Sequence, residues 1–296
     1  MINLKKALLG AAAFTLLACA GVGVGLRAQN PEGESLLTFE WKKIPMDGHR
    51  AGIGIVTTDN ADSLDRIFGV FKGKTYVAPN GKKYKKGITP QVARILMDAQ
   101  PAMAPFRTPL GYAPEAMVRQ APECALFNMY VDQLMACVAD SCGKKIDVGF
   151  ANSGGVRCDL KQGKIGQMDV LAMFPFKSNV CCFLEVAGKD LMATYERMAA
   201  HPELMIQGGA KLVYTADHKL KSVEIDGKPL DPKKIYNVAT INFILNGGDG
   251  FNIARNAKSL TFYKVTMSDF MMEYYKRLTA EGKEITYQTD GRITQL

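Results

Sequence analysis

The chain has 296 residues, 47% of them apolar, with 37 Lys+Arg, 29 Asp+Glu and only three histidines. That apolar share excludes intrinsic disorder, and the length allows one large domain or two modest ones. His49, His201 and His218 form no His-x-His pair and no His-Glu-x-x-His, which argues against a dense histidine-based metal centre.

The N-terminus reads as a targeting segment. Met1 to Lys6 carries two lysines, and Ala7 to Ala18 is an uncharged, mostly apolar run of signal-peptide length. A spanning helix needs about 20 apolar residues. Residues 1–28 are therefore expected to be a signal peptide or a lipoprotein signal. Leu16-Leu17-Ala18-Cys19 resembles a bacterial lipobox, in which Cys19 would carry the lipid. Ordinary cleavage near Ala18-Cys19-Ala20 or Arg27-Ala28, or an uncleaved anchor, stay open. All three place the folded part outside the cytoplasm, in the periplasm or at the outer membrane or cell surface. Membrane contact is expected only through such an anchor. Without the first 28 residues, 34 bases face 29 acids, so the remainder is mildly basic.

Residues 29–105 read as an N-terminal extension holding a hairpin and a helix. Residues 29–60 are polar and turn-rich. Lys74 to Val77, an Asn80-Gly81 turn and Lys82 onward predict the hairpin. The basic run Lys82-Lys83-Tyr84-Lys85-Lys86 follows that turn and fits a solvated hairpin better than a nucleic-acid patch. Thr89 as N-cap and Pro90 at the first helical position open a helix with an apolar stripe of Val92, Ile95, Leu96 and Ala99. Pro101 and Pro105 break that pattern, which sets a boundary before a domain spanning 106–296.

Beyond the boundary the pattern becomes regular. Pro122 to Asp140 predicts a helix, Ile146 to Phe150 and Phe183 to Val186 predict strands, and Gly188 starts a helix reaching about Ala200. Lys211–Thr215, Ser222–Ile225 and Ile235–Thr240 predict further strands, with an Asp226-Gly227 turn. Thr266-x-x-Asp269 is a capping box for a helix ending near Gly282. The elements mix without strict βαβ alternation, which predicts an α+β fold with a mixed sheet. Cys124, Cys137, Cys142, Cys158, Cys181 and Cys182 contain no C-x-x-C and fit buried small hydrophobes better than a disulfide framework.

Three segments carry chemistry. Asn152-Ser153-Gly154-Gly155-Val156-Arg157 follows a strand, and its paired glycines allow close backbone approach to a ligand. Arg157 suits a phosphate or carboxylate, and the alternative is a tight turn with Arg157 paired to Asp159. Met173-Phe174-Pro175-Phe176-Lys177 fits either an exposed loop edge or the core. Asn242 to Phe251 sets Asn246, Gly247, Gly248, Asp249 and Gly250 in one loop, where the Asp either meets sugar hydroxyls or binds its own backbone in an Asx-turn.

In order along residues 122–251, these segments resemble the C-terminal domain of the 5'-nucleotidase / UDP-sugar hydrolase family. So do the Asp169-Val170-Leu171 run, the Gly188-Lys189-Asp190-Leu191 helix start, the hairpin from Val223 to Leu230 and Tyr236-x-Val-Ala-Thr. The resemblance implies a nucleotide-recognition domain used in nucleotide catabolism. Phe176 and Phe243 would sandwich the base, Asn152 would bind its edge and Arg157 the phosphate. Asp249 would bind the ribose, within a shell that includes Gly154, Gly155, Asn246 and Gly248. The family often has further arginines before the long helix, and here only Arg119 is available for that role.

The resemblance also implies a metallophosphatase domain ahead of this one, with two metal ions that activate water. No Asn-His dipeptide and no His-x-His is present, and Asp47-Gly48-His49 stands alone. The chain is therefore expected to hold no metal or other cofactor and to be inactive by itself. The leading expectation is the recognition half of a split, exported 5'-nucleotidase, the divalent metal residing in a separate metallophosphatase subunit. A stand-alone surface nucleotide-binding protein and a non-binding interaction module stay open.

Overall fold

The computed structural model describes residues 26–29, 35–39, 64–245 and 247–296. Cys19 and the Asp47-Gly48-His49 triplet lie outside these residues, as does Asn246. The chain divides into two units, Met1–Ile55 and Val56–Leu296. In the smaller, β1 (Leu26–Gln29) pairs antiparallel with β2 (Ser35–Phe39), where the sequence pattern predicts no regular element.

The larger unit begins with α1 (Leu64–Phe68) and a three-stranded meander of β3 (Val70–Lys72), β4 (Thr75–Val77) and β5 (Lys83–Tyr84). Helix α2 (Ile88–Met103) follows, starting two residues earlier than predicted, with Gly87 as its N-cap. It runs through Pro101 into a short 3-10 turn, Ala104–Arg107; a proline in the last turn removes only one backbone bond. Its buried residues are Pro90 and Ala93. The predicted stripe exists but faces solvent: Val92, Ile95 and Leu96 are 48%, 69% and 44% exposed.

The centre of the fold is a mixed five-stranded sheet in the order β10-β7-β14-β9-β15. Its strands are β7 (Val148–Asn152), β9 (Val180–Ala187), β10 (Met205–Gly208), β14 (Ile235–Ile241) and β15 (Ser259–Thr266). The run Val-Cys-Cys-Phe-Leu-Glu-Val-Ala is nearly continuous in apolar residues because β9 is an inner strand, covered on both faces. A smaller sheet joins β11 (Ala210–Tyr214), β12 (Leu220–Ile225), β13 (Lys228–Pro229) and β16 (Ile293–Gln295). Strands β6 (Pro109–Ala113) and β8 (Gly163–Gly166) form a separate pair.

Helix α3 (Ala125–Cys142) buries Leu126, Met129, Tyr130, Leu134 and Val138 against the large sheet, and Gly143 ends it in a left-handed conformation. It starts at Ala125 rather than Pro122, with Cys124 in the extended N-cap conformation. A side-chain carbon at Gly149 would lie 2.5 Å from Met135 Cγ, so α3 sits on the Gly149 side of β7. On the other side, Phe150 meets Tyr195 of α5 (Gly188–Ala200), ring centroids 5.3 Å apart. Strand β7 is therefore sandwiched between two helices, which is why all five of its residues are buried. Helices α4 (Gln167–Met173) and α7 (Met267–Ala280) complete the α3 side. The predicted capping box of α7 forms: Thr266 N–H donates to Asp269 Oδ2 at 2.9 Å.

Candidate ligand site at one end of the large sheet

Parallel pairing of β7 and β14 sets Val148 beside Val238 and Gly149 beside Ala239. The chain therefore leaves both strands at the same end of the sheet. Strand β9 runs the other way, with Cys181 opposite Ile241, so the segment entering it starts at that end too. This topology gathers the three chemistry-bearing segments, which lie far apart in sequence. Hydrogen bonds join them: Arg157 N–H donates to the Met173 carbonyl at 2.8 Å. Asn242 Oδ1 accepts from Val180 N–H at 2.9 Å, while its Nδ2 donates to the Ser178 carbonyl at 3.0 Å.

In the first segment, Ser153–Gly155 makes one 3-10 turn. Asn152 is buried, and its Oδ1 has no hydrogen-bond partner. A side-chain carbon at Gly155 would stand 2.9 Å from that oxygen, so glycine there admits the amide. Gly154 is exposed. Arg157 is exposed, with its guanidinium 4.7 Å above the Phe176 ring, a cation–π stack. The alternative Arg157–Asp159 pair does not form. Asp159 is taken by Arg119, whose N–H donates to Oδ1 at 2.8 Å and whose Nε lies 3.5 Å from the same oxygen. The bridge between Met117 and Leu160 brings those two residues alongside each other. Arg119 Nη1 also donates to the Val156 carbonyl at 2.6 Å, so Arg119 braces the loop.

The second segment contains both alternatives open to it. Phe174 is core, its ring centroid 5.0 Å from that of Tyr130, whereas Phe176 is only half-buried. In the third, α6 (Asn242–Leu245) presents Phe243 at 36% exposure. A side-chain carbon at Gly248 would be 2.3 Å from Phe243 Cε1, so the ring lies directly on that glycine. Asp249 has φ 53°, in the left-handed region, between Gly247 and Gly250 at φ 82° and 73°. Its carboxylate has no partner among the described residues. No ring contact joins Phe176 to Phe243 among the described residues, and neither ring is enclosed.

Arg197 and Asn242 belong to this framework and were not singled out by the sequence pattern. Arg197 Nη2 donates to the Asp249 carbonyl at 2.9 Å, and its guanidinium lies 5.1 Å from the Phe251 ring centroid. A side-chain carbon at Gly250 would fall 2.1 Å from the same Nη2. Arg197 comes from the last turn of α5, and no local signal ties it to the glycine loop. Asn242 opens the Asn-Phe motif itself, so its position was visible but its bridging role was not.

The six cysteines among the described residues are free thiols. Burial pushes the Cys182 thiol up to about 12, so it is no nucleophile at neutral pH. Among the described residues, no group of three or more His, Cys, Asp or Glu could hold a metal ion. The described side chains therefore do not fit a metallophosphatase centre.

These features define an α+β domain with a glycine-rich, aromatic loop cluster at one end of its sheet. The profile of the 5'-nucleotidase, C-terminal domain, matches residues 107–256, half of the chain, and the chain belongs to that family. An apyrase of Tabanus yao is 31% identical over 170 residues, covering 50% of this chain and 29% of that protein. The cell wall protein Lmo0130 of Listeria monocytogenes is 30% identical over 185 residues, covering 57% of this chain and 23% of that protein. The 5'-nucleotidase precursor of Thermus thermophilus superposes with a TM-score of 0.60 at 24% identity, covering 75% of this chain and 45% of that one. The chain thus spans less than half the length of these relatives.

Proposed function

We propose that this chain is the nucleotide-recognition half of an exported 5'-nucleotidase. It binds the base between Phe176 and Phe243, while a separate metallophosphatase subunit supplies the metals and the attacking water. The observation that carries this is the Asn242 bridge. It ties the loop of Phe176 to the helix of Phe243 and leaves both rings open to a ligand. Stacking on such rings contributes about 1–3 kcal/mol per base and tolerates any base. Arg157, stacked on one face of Phe176 and free of ion pairs among the described residues, is available to a phosphate; Asp249, with an unpartnered carboxylate, is available to ribose hydroxyls. An exported setting is supported by the signal-like N-terminus and by the relative named as a cell wall protein.

Calorimetry with AMP tests the binding step, and mixing with metallophosphatase subunits tests the chemistry. Phosphate release is expected only in the mixture. Hydrolysis by the chain alone, or none with any metallophosphatase partner, overturns the split arrangement. Absence of AMP binding overturns the recognition role itself.

A further inference from the structure

The basic hairpin and the solvent-facing stripe of α2 play no part in the nucleotide reading, yet they adjoin each other. Residues 64–106 hold eight Lys and Arg against two Asp and no Glu, whereas the whole chain holds 37 bases against 29 acids. The excess charge is thus concentrated in this short stretch. Lys82, Lys83, Lys85 and Lys86 are all exposed.

Helix α2 adds an apolar seam. Ile88, Val92, Ile95 and Ala99 recur at spacings of four, three and four and are all exposed, Ile88 at 77% and Ile95 at 69%. Phe106, in the 3-10 turn beyond the helix, continues the seam at 38% exposure. At 3.6 residues per turn this seam lies opposite Pro90 and Ala93, the buried face. A helix that hides only Pro90 and Ala93 while presenting Ile, Val, Leu and Phe to water is inverted for a protein standing free in solution. The two features share one cavity of about 570 Å³, walled by Lys74, Lys85, Lys86, Arg94 and Ile95. Within it, Arg94 lies 3.9 Å above the Phe71 ring.

We propose that α2 and the lysine hairpin form a membrane-surface site that lies on an anionic phospholipid bilayer. The Ile88–Phe106 seam would enter the acyl boundary, and the lysines would meet lipid phosphates. The charge pattern selects this occupant: a bilayer surface offers apolar chains and anionic headgroups in adjacent layers, matching an apolar seam with cations beside it. The site is distinct from an N-terminal lipid and would orient the domain on a membrane. It is independent of the nucleotide reading.

The test is vesicle flotation of the full chain carrying Cys19→Ala, with neutral phosphatidylcholine vesicles and with vesicles containing phosphatidylglycerol. The N-terminal apolar run contributes equally to every variant, so the reading is the ratio of variant to parent on the same vesicles. The parent is expected to prefer anionic vesicles and to lose that preference in high salt. Lys85→Glu/Lys86→Glu should weaken anionic binding about 30-fold or more, at about 1 kcal/mol per surface cation. Val92→Glu/Ile95→Glu should weaken binding to both vesicle types. Unchanged circular dichroism and thermal midpoints establish that both variants fold; if the second does not, the charge pair and the salt response still decide. Equal binding by parent and Lys85→Glu/Lys86→Glu overturns the proposal. So does a lipid-free dimer of the parent that Val92→Glu/Ile95→Glu dissociates, since a second copy would then occupy the seam.

Discussion

Gly248 shows how one position can set the place of a ring in the proposed site. A methyl group there would lie 2.3 Å from Phe243 Cε1 and 2.5 Å from the Phe243 carbonyl oxygen. The ring would have to leave its place, and the turn around Gly248 would have to shift off the Phe243 carbonyl. Gly248→Ala is therefore expected to weaken AMP binding by about tenfold or more, the equivalent of one displaced stacking partner, and to lower stability by about 1–3 kcal/mol through the backbone clash. Phe243→Ala should cost about 1–3 kcal/mol of affinity, the worth of one stacked base, read by the same calorimetry. Equal affinities for parent and both variants would remove Phe243 from the site. Gly155 makes a parallel case, since its missing side chain leaves room for the Asn152 amide.

Close approaches between elements differ in what can yield. At Gly149 an added carbon meets Met135, whose long side chain can swing aside. At Gly188, the first residue of α5, an added carbon meets the Asp231 carbonyl at 2.0 Å, and that backbone cannot move independently. Gly188 N–H also donates to the Lys234 carbonyl at 2.9 Å, which locks the helix start against the turn before β14. Urea unfolding should show Gly188→Ala destabilised by about 1–3 kcal/mol, the range for overpacking, and Gly149→Ala by less. The reverse order would mean that α3 is held more rigidly than α5. Helix α5 bears on the proposed site as well, because it supplies the Arg197 bond beneath the Asp249 loop.

For the molecule as a whole, the C-terminal segment is clasped by charge. Arg292, 8% exposed, donates to both oxygens of Asp132 at 2.8 and 2.9 Å, and to Asp290 Oδ2 at 2.7 Å. The Arg292 guanidinium holds the Asp290 carboxyl below its ordinary range, and against burial Asp290 and Asp132 together keep Arg292 charged. A depressed carboxylate adds stability above its unfolded value of about 4 and loses it as pH falls through the lower folded value. Stability should therefore be flat near neutrality and decline below about pH 4. In Asp290→Asn the acid-side decline should be shallower, as measured by urea midpoints across pH. An identical acid profile would show that the clasp contributes nothing. The clasp fastens β16 beside β11, remote in sequence from the loops of the proposed site.

Much of this was legible in the chain itself. The run of α3, the span of α5 and the capping box of α7 follow from apolar spacing and local hydrogen-bonding chemistry, which act within a few residues. The three segments of the proposed site were visible as motifs for the same reason, since paired glycines and a lone Asp among glycines are local signals. What local pattern could not decide was where side chains end up. Phe174 and Phe176 stand two residues apart in similar company, yet one is core and the other half-open, because only the strand pairing says which side of the loop is covered. Arg157 was the candidate partner of Asp159, whereas the Met117–Leu160 bridge brings Arg119 to that carboxylate instead. The stripe on α2 was legible as an apolar face, but its exposure was not, since a sequence shows periodicity but not whether anything lies opposite. Above all, the meeting of three loops depends on β7 and β14 running parallel and β9 against them. Strand direction is set by packing across the whole sheet, a property no short segment carries.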